Sequence, residues 1–262
     1  MDLALGSKRC IITGGSKGIG AACADLLAAE GARVAIIARG AADLEATAAE
    51  LTARHGEKVA WVAADLSSAE GVEAGVGGAI EALGGVDCLV NNAGSSKAGP
   101  LDTLSDDDWY AAIDLKLMGY VRAMRHVLGP MRAQRSGRIV NIAGAAARNA
   151  SAGYVLGCFN AALQHVTRSV AELVAAEGIT VNVINPGPIA TERWDEMVAV
   201  QAAASGVSLA EASAKAARSL PVGRVGQPVE VADMVAYLCS DRSGFQTGGS
   251  LLIDGGAARG LV

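Results

Sequence analysis

The sequence predicts a doubly wound α/β fold, a parallel sheet of about seven strands with helices on both faces. Two observations carry this. Seven short runs rich in β-branched residues are largely apolar, as strands buried on both faces must be. Alanine-rich helical stretches lie between them, and strand–helix alternation calls for parallel pairing through right-handed crossovers.

In order, the runs are RCIIT (9–13), ARVAIIA (32–38), KVAWVAA (58–64), VDCLVNN (86–92), GRIVNIA (137–143), ITVNVIN (179–185) and SLLIDGG (250–256), often bounded by glycine or a turn residue. The helices after the first two strands end at Gly31 and Gly56, since glycine accepts the left-handed conformation that closes a helix. Ser67 to Glu70 and Ser105 to Asp108 read as capping boxes, or their acidic equivalent, that open two further helices. A late helix spans Pro228 to Ser240. Residues 188–220, rich in Ala and Ser and without a strand, are a candidate substrate lid. With no repeat, low-complexity stretch or linker, residues 1–262 are expected to form a single domain.

The chain is 51% hydrophobic with 33 glycines, which suits helices packed closely on a sheet. A formal charge of −5 without a basic cluster offers no footprint for a polyphosphate backbone, so no nucleic-acid partner is expected. The N-terminal MDLALGSKRC lacks the apolar core of a signal peptide, and no uncharged apolar run approaches the roughly 18 residues of a spanning helix. A cytoplasmic protein without a membrane partner is the expectation. Cys10, Cys23, Cys88, Cys158 and Cys239 are widely spaced and read as small buried residues. His55, His126 and His165 have no second ligand at useful spacing, so no metal site is expected.

The first strand runs into TGGSKGIG (13–20). Gly14, Gly18 and Gly20 let the backbone turn tightly towards a pyrophosphate, and the next helix offers free N–H groups and a positive dipole end. The spacing departs from the strict G-x-G-x-x-G pattern, and its place at the first strand-to-helix turn is the stronger signal. The second strand ends at Arg39 rather than at an acidic residue for a ribose 2′-hydroxyl. Arg39 with Lys17 either binds a 2′-phosphate, which selects NADP(H) over NAD(H), or supplies two solvated surface cations.

Together with Asp65-Leu66, NNAG (91–94), NPGPIAT (185–191), GRVGQPVEVA and IDGG, this turn resembles the short-chain dehydrogenase/reductase family, closest in pattern to its 3-oxoacyl carrier-protein reductases. The likeness covers nearly the whole chain and implies a Rossmann-type fold. It also implies an NADP(H)-dependent oxidoreductase acting on a carbonyl/alcohol pair. Carried over, Ser16, Lys17, Ile19 and the glycines hold the dinucleotide, Asp65 and Leu66 meet the adenine, and Asn92, Ala93 and Gly94 lie beside the ribose. Thr191 meets the carboxamide, and Pro186, Gly187 and Ile189 belong to the same cofactor-binding set, although Pro186-Gly187 could simply break the chain. Locally, Asp65 could merely cap a turn, and the asparagines could satisfy backbone at a strand end. Dimers or tetramers through helices at 106–134 and 156–177 are likewise implied.

The reaction end departs from the family. Anchored on NAALQHVTRSVAEL, the family's tyrosine and lysine positions fall at Leu156 and Asn160, its serine at Ala143 or Gly144, and its helical asparagine at Lys116. Lysine and asparagine thus exchange places. Lys116 would supply the positive charge, and Tyr154 the phenol if the helix begins after it. The alternatives are a solvated Lys116, a Tyr154 that only packs, and a Cys158 that packs on the face opposite Asn160. A small-molecule substrate is expected, and the lid's Ala, Val, Leu and Met content hints that it is apolar. Two other functions stay open: a dinucleotide-binding sensor or partner subunit, and a lyase, hydratase or isomerase that uses Lys116 as acid, base or clamp.

Overall fold

The computed structural model describes residues 2–94 and 96–258; Met1, Ser95 and 259–262, including both ends of the expected domain, lie outside the described residues. The strands are β1 (Arg9–Thr13), β2 (Arg33–Ala38), β3 (Ala60–Ala63), β4 (Cys88–Asn91), β5 (Gly137–Ile142), β6 (Ile179–Pro186) and β7 (Ser250–Ile253). They form one sheet of order β3-β2-β1-β4-β5-β6-β7 in which every pairing is parallel. All seven predicted runs supply a strand: β1 matches its run, β6 runs one residue further, and the other five are trimmed by up to three residues at an end.

The helices are α1 (Gly18–Ala29), α2 (Ala41–His55), α3 (Ala69–Val72), α4 (Gly78–Leu83), α5 (Asp106–Ala112), α6 (Gly119–Gln134), α7 (Cys158–Val174), α8 (Glu192–Ser205), α9 (Leu209–Arg218) and α10 (Pro228–Cys239). Wide π turns join α3 to α4 and α5 to α6. The two-residue period of the strands divides the core. Cys10, Ile12, Val34, Ile36 and Val90 face α1, α2 and α10, while Ile11, Ala35, Ile37, Leu89 and Ile139 face the helices of the other layer, α3, α4, α6 and α7. Each of these side chains is fully or almost fully buried, worth roughly 1.5–3 kcal/mol apiece for the larger ones. Both faces are therefore dry, which explains why the runs read as apolar throughout.

The helix ends confirm most of the local signals. Gly31 and Gly56 both take φ of +81°, as the left-handed closing residue requires. Ser105 and Asp108 form a complete capping box at α5. The other box is corrected: the α3 cap is Ser68, whose hydroxyl accepts from Gly71 N, because Ser67 N is already committed to Asp65 Oδ1. The segment 188–220 folds as an α8–α9 hairpin in which Trp194, Val198, Ala202 and Ala212 pack on one another.

Four cysteines are buried as expected, but Cys158, at the first residue of α7, is exposed and does not pack as the sequence suggested. A chromogenic thiol reagent should therefore titrate one thiol rapidly in the native protein, and Cys158→Ser should remove that phase. A fast phase that survives the substitution would contradict this packing.

Candidate active site

Strand order reverses at β1, which pairs with β2 on one side and β4 on the other, and a crevice opens beyond the carboxyl ends of these strands. The crevice has a volume of about 370 Å³ and is bounded by the glycine turn, the end of β2, the segment after β4, Leu115 and the start of α8. Close approach makes the glycines necessary: a Cβ on Gly20 would collide with Gly14 O, and one on Gly14 would stand 2.9 Å from Asn92 Nδ2. Gly14 also sits at φ +65°. Asn92 Nδ2 donates to Thr13 O (3.2 Å) and Gly14 O (3.1 Å), while Thr13 Oγ1 accepts from Asn92 N and Ala93 N. One short amide thus ties the end of β4 to the turn after β1.

Of the predicted nucleotide residues, Gly14, Lys17, Gly18, Ile19, Arg39, Leu66, Asn92, Ala93, Gly94 and Thr191 line the crevice. Ser16 lies behind it, with its carbonyl accepting from Thr47 Oγ1. Lys17 is ion-paired to Asp43 at 3.3 Å and Glu192 at 3.8 Å. Asp65 caps its turn through Ser67, which holds its carboxyl below the usual range with help from Arg39. Ile189 belongs to a separate small cavity of about 140 Å³ beside Pro188 and Leu220. Pro186 closes β6, and a Cβ on Gly187 would strike Asp254.

At the reaction end, Lys116 and Asn160 meet the same short segment from two helices. Lys116 Nζ donates to Ala143 O at 3.1 Å, and Asn160 lies over Gly144, whose Cβ would be 3.4 Å from both amide atoms. Lys116 is 9% exposed and Asn160 2%. The solvated alternative for Lys116 is thereby removed. Burial, with repulsion from Arg193 added, lowers the lysine to about 8 from its usual 10.5. Its stem also touches the crevice wall, since a Cβ on Gly94 would be 3.1 Å from Lys116 Cδ. Asn160 Oδ1 is buried with no hydrogen-bond partner.

Tyr154 precedes the helical turn at Val155–Gly157, so the condition on its direction is met. Its hydroxyl lies 2.6 Å from Ser96 Oγ, and Ser96 O accepts from Arg193 Nη2 at 3.0 Å. Leu156 is buried, in a cluster with Ala112, Phe159, Trp109 and Leu117, so hydrocarbon fills this position. Sequence reasoning missed Ser96 and Arg193. The signal for Arg193 was available, a lone basic residue two places beyond Thr191 at the start of α8. Among the described residues, no group of three or more His, Cys, Asp or Glu side chains is placed to hold a metal, and no helix is long and apolar enough to cross a membrane.

Residues 14–258 match a family model described as enoyl-(acyl carrier protein) reductase. The short-chain reductase protein NovJ of Streptomyces niveus is 36% identical over 94% of this chain and 92% of its own length. The 3-oxoacyl-(acyl-carrier-protein) reductase FabG of Vibrio cholerae is 33% identical over 96% and 98%. The structure of L-sorbose reductase from Gluconobacter frateurii, solved with NADPH and L-sorbose, superimposes with a TM-score of 0.95 at 32% identity and covers both chains fully.

The buried ammonium costs stability. Below about pH 8 the lysine is charged in both folded and unfolded chains, and the drop from 10.5 to about 8 corresponds to roughly 3 kcal/mol of unfavourable burial. The cost is relieved as pH rises from about 8 to 10.5, where the folded chain has already lost the proton. Lys116→Met, which also leaves Ala143 O without its donor, is expected to raise the melting temperature at pH 7 by roughly 2–6 °C. The gain should shrink towards pH 10. A melting temperature lowered at pH 7 would show that the ammonium is stabilising.

Proposed function

The chain belongs to the short-chain dehydrogenase/reductase family, and from that membership we propose that it is an NADP(H)-dependent oxidoreductase that interconverts a carbonyl and an alcohol, with Lys116 as the proton donor. The observation that carries the reading is the buried ammonium held by Ala143 O through one of its three N–H groups, on a stem that packs behind Gly94 of the crevice wall. The chain is taken as one catalytic domain with 188–220 as its lid.

A nicotinamide dinucleotide fits the residues present. The glycine turn leaves the space that a pyrophosphate and its approaching backbone fill, and α1 begins there with no side-chain cap on its free N–H groups. Asn160 Oδ1, which accepts no hydrogen bond among the described residues, suits a donor such as a ribose hydroxyl. Arg39 lines the crevice and suits a 2′-phosphate, and the NADPH bound to L-sorbose reductase supports the same preference. When bound, the cofactor supplies or accepts the hydride.

The protein's own part is charge and proton. As the carbonyl oxygen gains negative charge, Lys116 Nζ donates a hydrogen bond and then its proton; in the alcohol direction the neutral amine takes the proton back. A value of about 8 keeps both forms within reach near neutrality. Ala143 O fixes the amine, and the Leu156 cluster keeps the surroundings dry, which strengthens its field. Tyr154 is the second reading for the proton donor, favoured by its short contact with Ser96 at the loop that leaves the crevice. In the first reading it is a positioning residue for that loop.

Nicotinamide absorbance with a carbonyl panel tests these roles. Lys116→Met should lower turnover about 10²–10⁴-fold while NADPH still binds, and Tyr154→Phe should cost less than about tenfold; the reverse order would give the proton to Tyr154. For reduction, kcat/KM should be level below about pH 8 and fall about tenfold per pH unit above it, and an unchanged limb in Lys116→Met would remove the lysine from that profile. In a fluorescence titration, Arg39→Ala should weaken NADPH about 10–100-fold and NADH about twofold or less. Equal losses for the two nucleotides would refute selection by Arg39.

A further inference from the structure

The charges at the reaction end are unbalanced. Lys116 and Arg193 stand close enough for the guanidinium to repel the ammonium, and no carboxylate contributes to the environment of Lys116. Of the neighbouring acids, Asp108 pairs with Lys97 and Ser105, Asp114 with Arg122 and Glu192 with Lys17, while Asp195 and Glu196, on the same helix as Arg193, form no ion pair with it among the described residues. Arg193 lines the crevice, and among the described residues its hydrogen bond is to Ser96 O, which leaves most of its donor fork free. It lies in the first turn of α8, a 14-residue helix whose positive dipole end faces the same space.

The apolar content of the lid does not oppose this. Trp194, Val198, Ala202 and Ala212 are used in holding α8 to α9, so lid composition says little about what the crevice accepts. With the orphaned Asn160 Oδ1 assigned to the cofactor's ribose, two cations with free donors remain to define the substrate. The cofactor's pyrophosphate has its own place at the glycine turn, which leaves the cations at the reaction end for a different anion.

We propose that the substrate is a carbonyl compound, or the matching alcohol, that carries its own anionic group, a carboxylate or a phosphate, held by the Arg193 guanidinium while its reacting oxygen faces Lys116 Nζ. This rests on the oxidoreductase reading. A fork of parallel N–H groups suits either planar or tetrahedral anions. Two-point binding fixes the carbonyl relative to the amine, which converts anion affinity into orientation.

The test compares matched pairs with NADPH: 4-oxopentanoate against its methyl ester, and dihydroxyacetone phosphate against dihydroxyacetone. One anionic member should exceed its neutral partner at least about tenfold in kcat/KM, and which pair shows the gap distinguishes carboxylate from phosphate. Arg193→Gln should shrink the gap to about threefold or less, mainly through KM. In parallel, calorimetry of 4-oxopentanoate and dihydroxyacetone phosphate on the NADP-loaded protein should show binding that Arg193→Gln removes. Faster neutral partners, no calorimetric binding, or an Arg193→Gln variant that loses NADPH affinity as strongly as anion affinity would each overturn the proposal, the last by assigning the guanidinium to the cofactor. Calorimetric binding without turnover of any carbonyl would instead defeat the oxidoreductase reading and leave the anion site standing.

Discussion

The parallel pairing of β1 with both β2 and β4 is the constraint that creates the site. A chain that must cross to one side of β1 and later to the other leaves an opening where the crossovers diverge, and the ends of β1 and β4 face it. Closing that opening with side chains would fill the crevice. The protein instead ties the two ends with a single amide, Asn92, and a hydroxyl, Thr13, and keeps glycine where the backbones approach. Each buried hydrogen bond contributes only about 1 kcal/mol net, but an unmade one costs about 1–3 kcal/mol, so Asn and Thr at these positions are hard to replace. The same bonds hold the crevice open at fixed width.

Against this rigid frame the buried lysine is the expensive element. Its ammonium costs roughly 3 kcal/mol of folding stability at neutral pH. A general acid contributes about 10²–10⁴ in rate, roughly 3–5 kcal/mol of barrier. The two magnitudes are comparable, as expected where a strained or desolvated group is kept for its chemistry. A lysine with only a packing role would have no comparable return, and methionine would fill the same volume at lower cost.

Most of the fold was legible because its signals are local and redundant. Strand runs, glycine helix ends and the Ser105 box each read from a few neighbouring residues, and the structure keeps them. The Ser67 box failed because two adjacent serines offer the same pattern, and only the bond from Ser67 N to Asp65 decides between them. Cys158 was misread because a face opposite Asn160 was taken to be packed, whereas in α7 that face meets solvent. Spacing leads to the expectation that Lys116 and Asn160 meet at one place, but their convergence on Ala143 and Gly144 is a long-range fact. Arg193 stands in the sequence as a basic residue two places beyond Thr191, but its approach to Ser96 and to Lys116 is a long-range fact that spacing does not reveal.

The π turn over Ile113–Met118 sets the direction in which Lys116 is presented. An i→i+5 turn inserts a residue into the helix and rotates the residues beyond it, a distortion common at functional sites. Gly119 closes it against Leu66 O, too near for a side chain. Lys116 is carried within that turn, so its amine reaches the end of β5 from the α5–α6 side, while Asn160 faces the same point from α7. A charge held on the first side and an amide on the second are not equivalent to the reverse arrangement, because the dry Leu156 cluster flanks them and water cannot even out the difference. The ammonium is therefore a directional group aimed by one carbonyl, and its chemistry depends on keeping that carbonyl, the turn and the apolar cluster together.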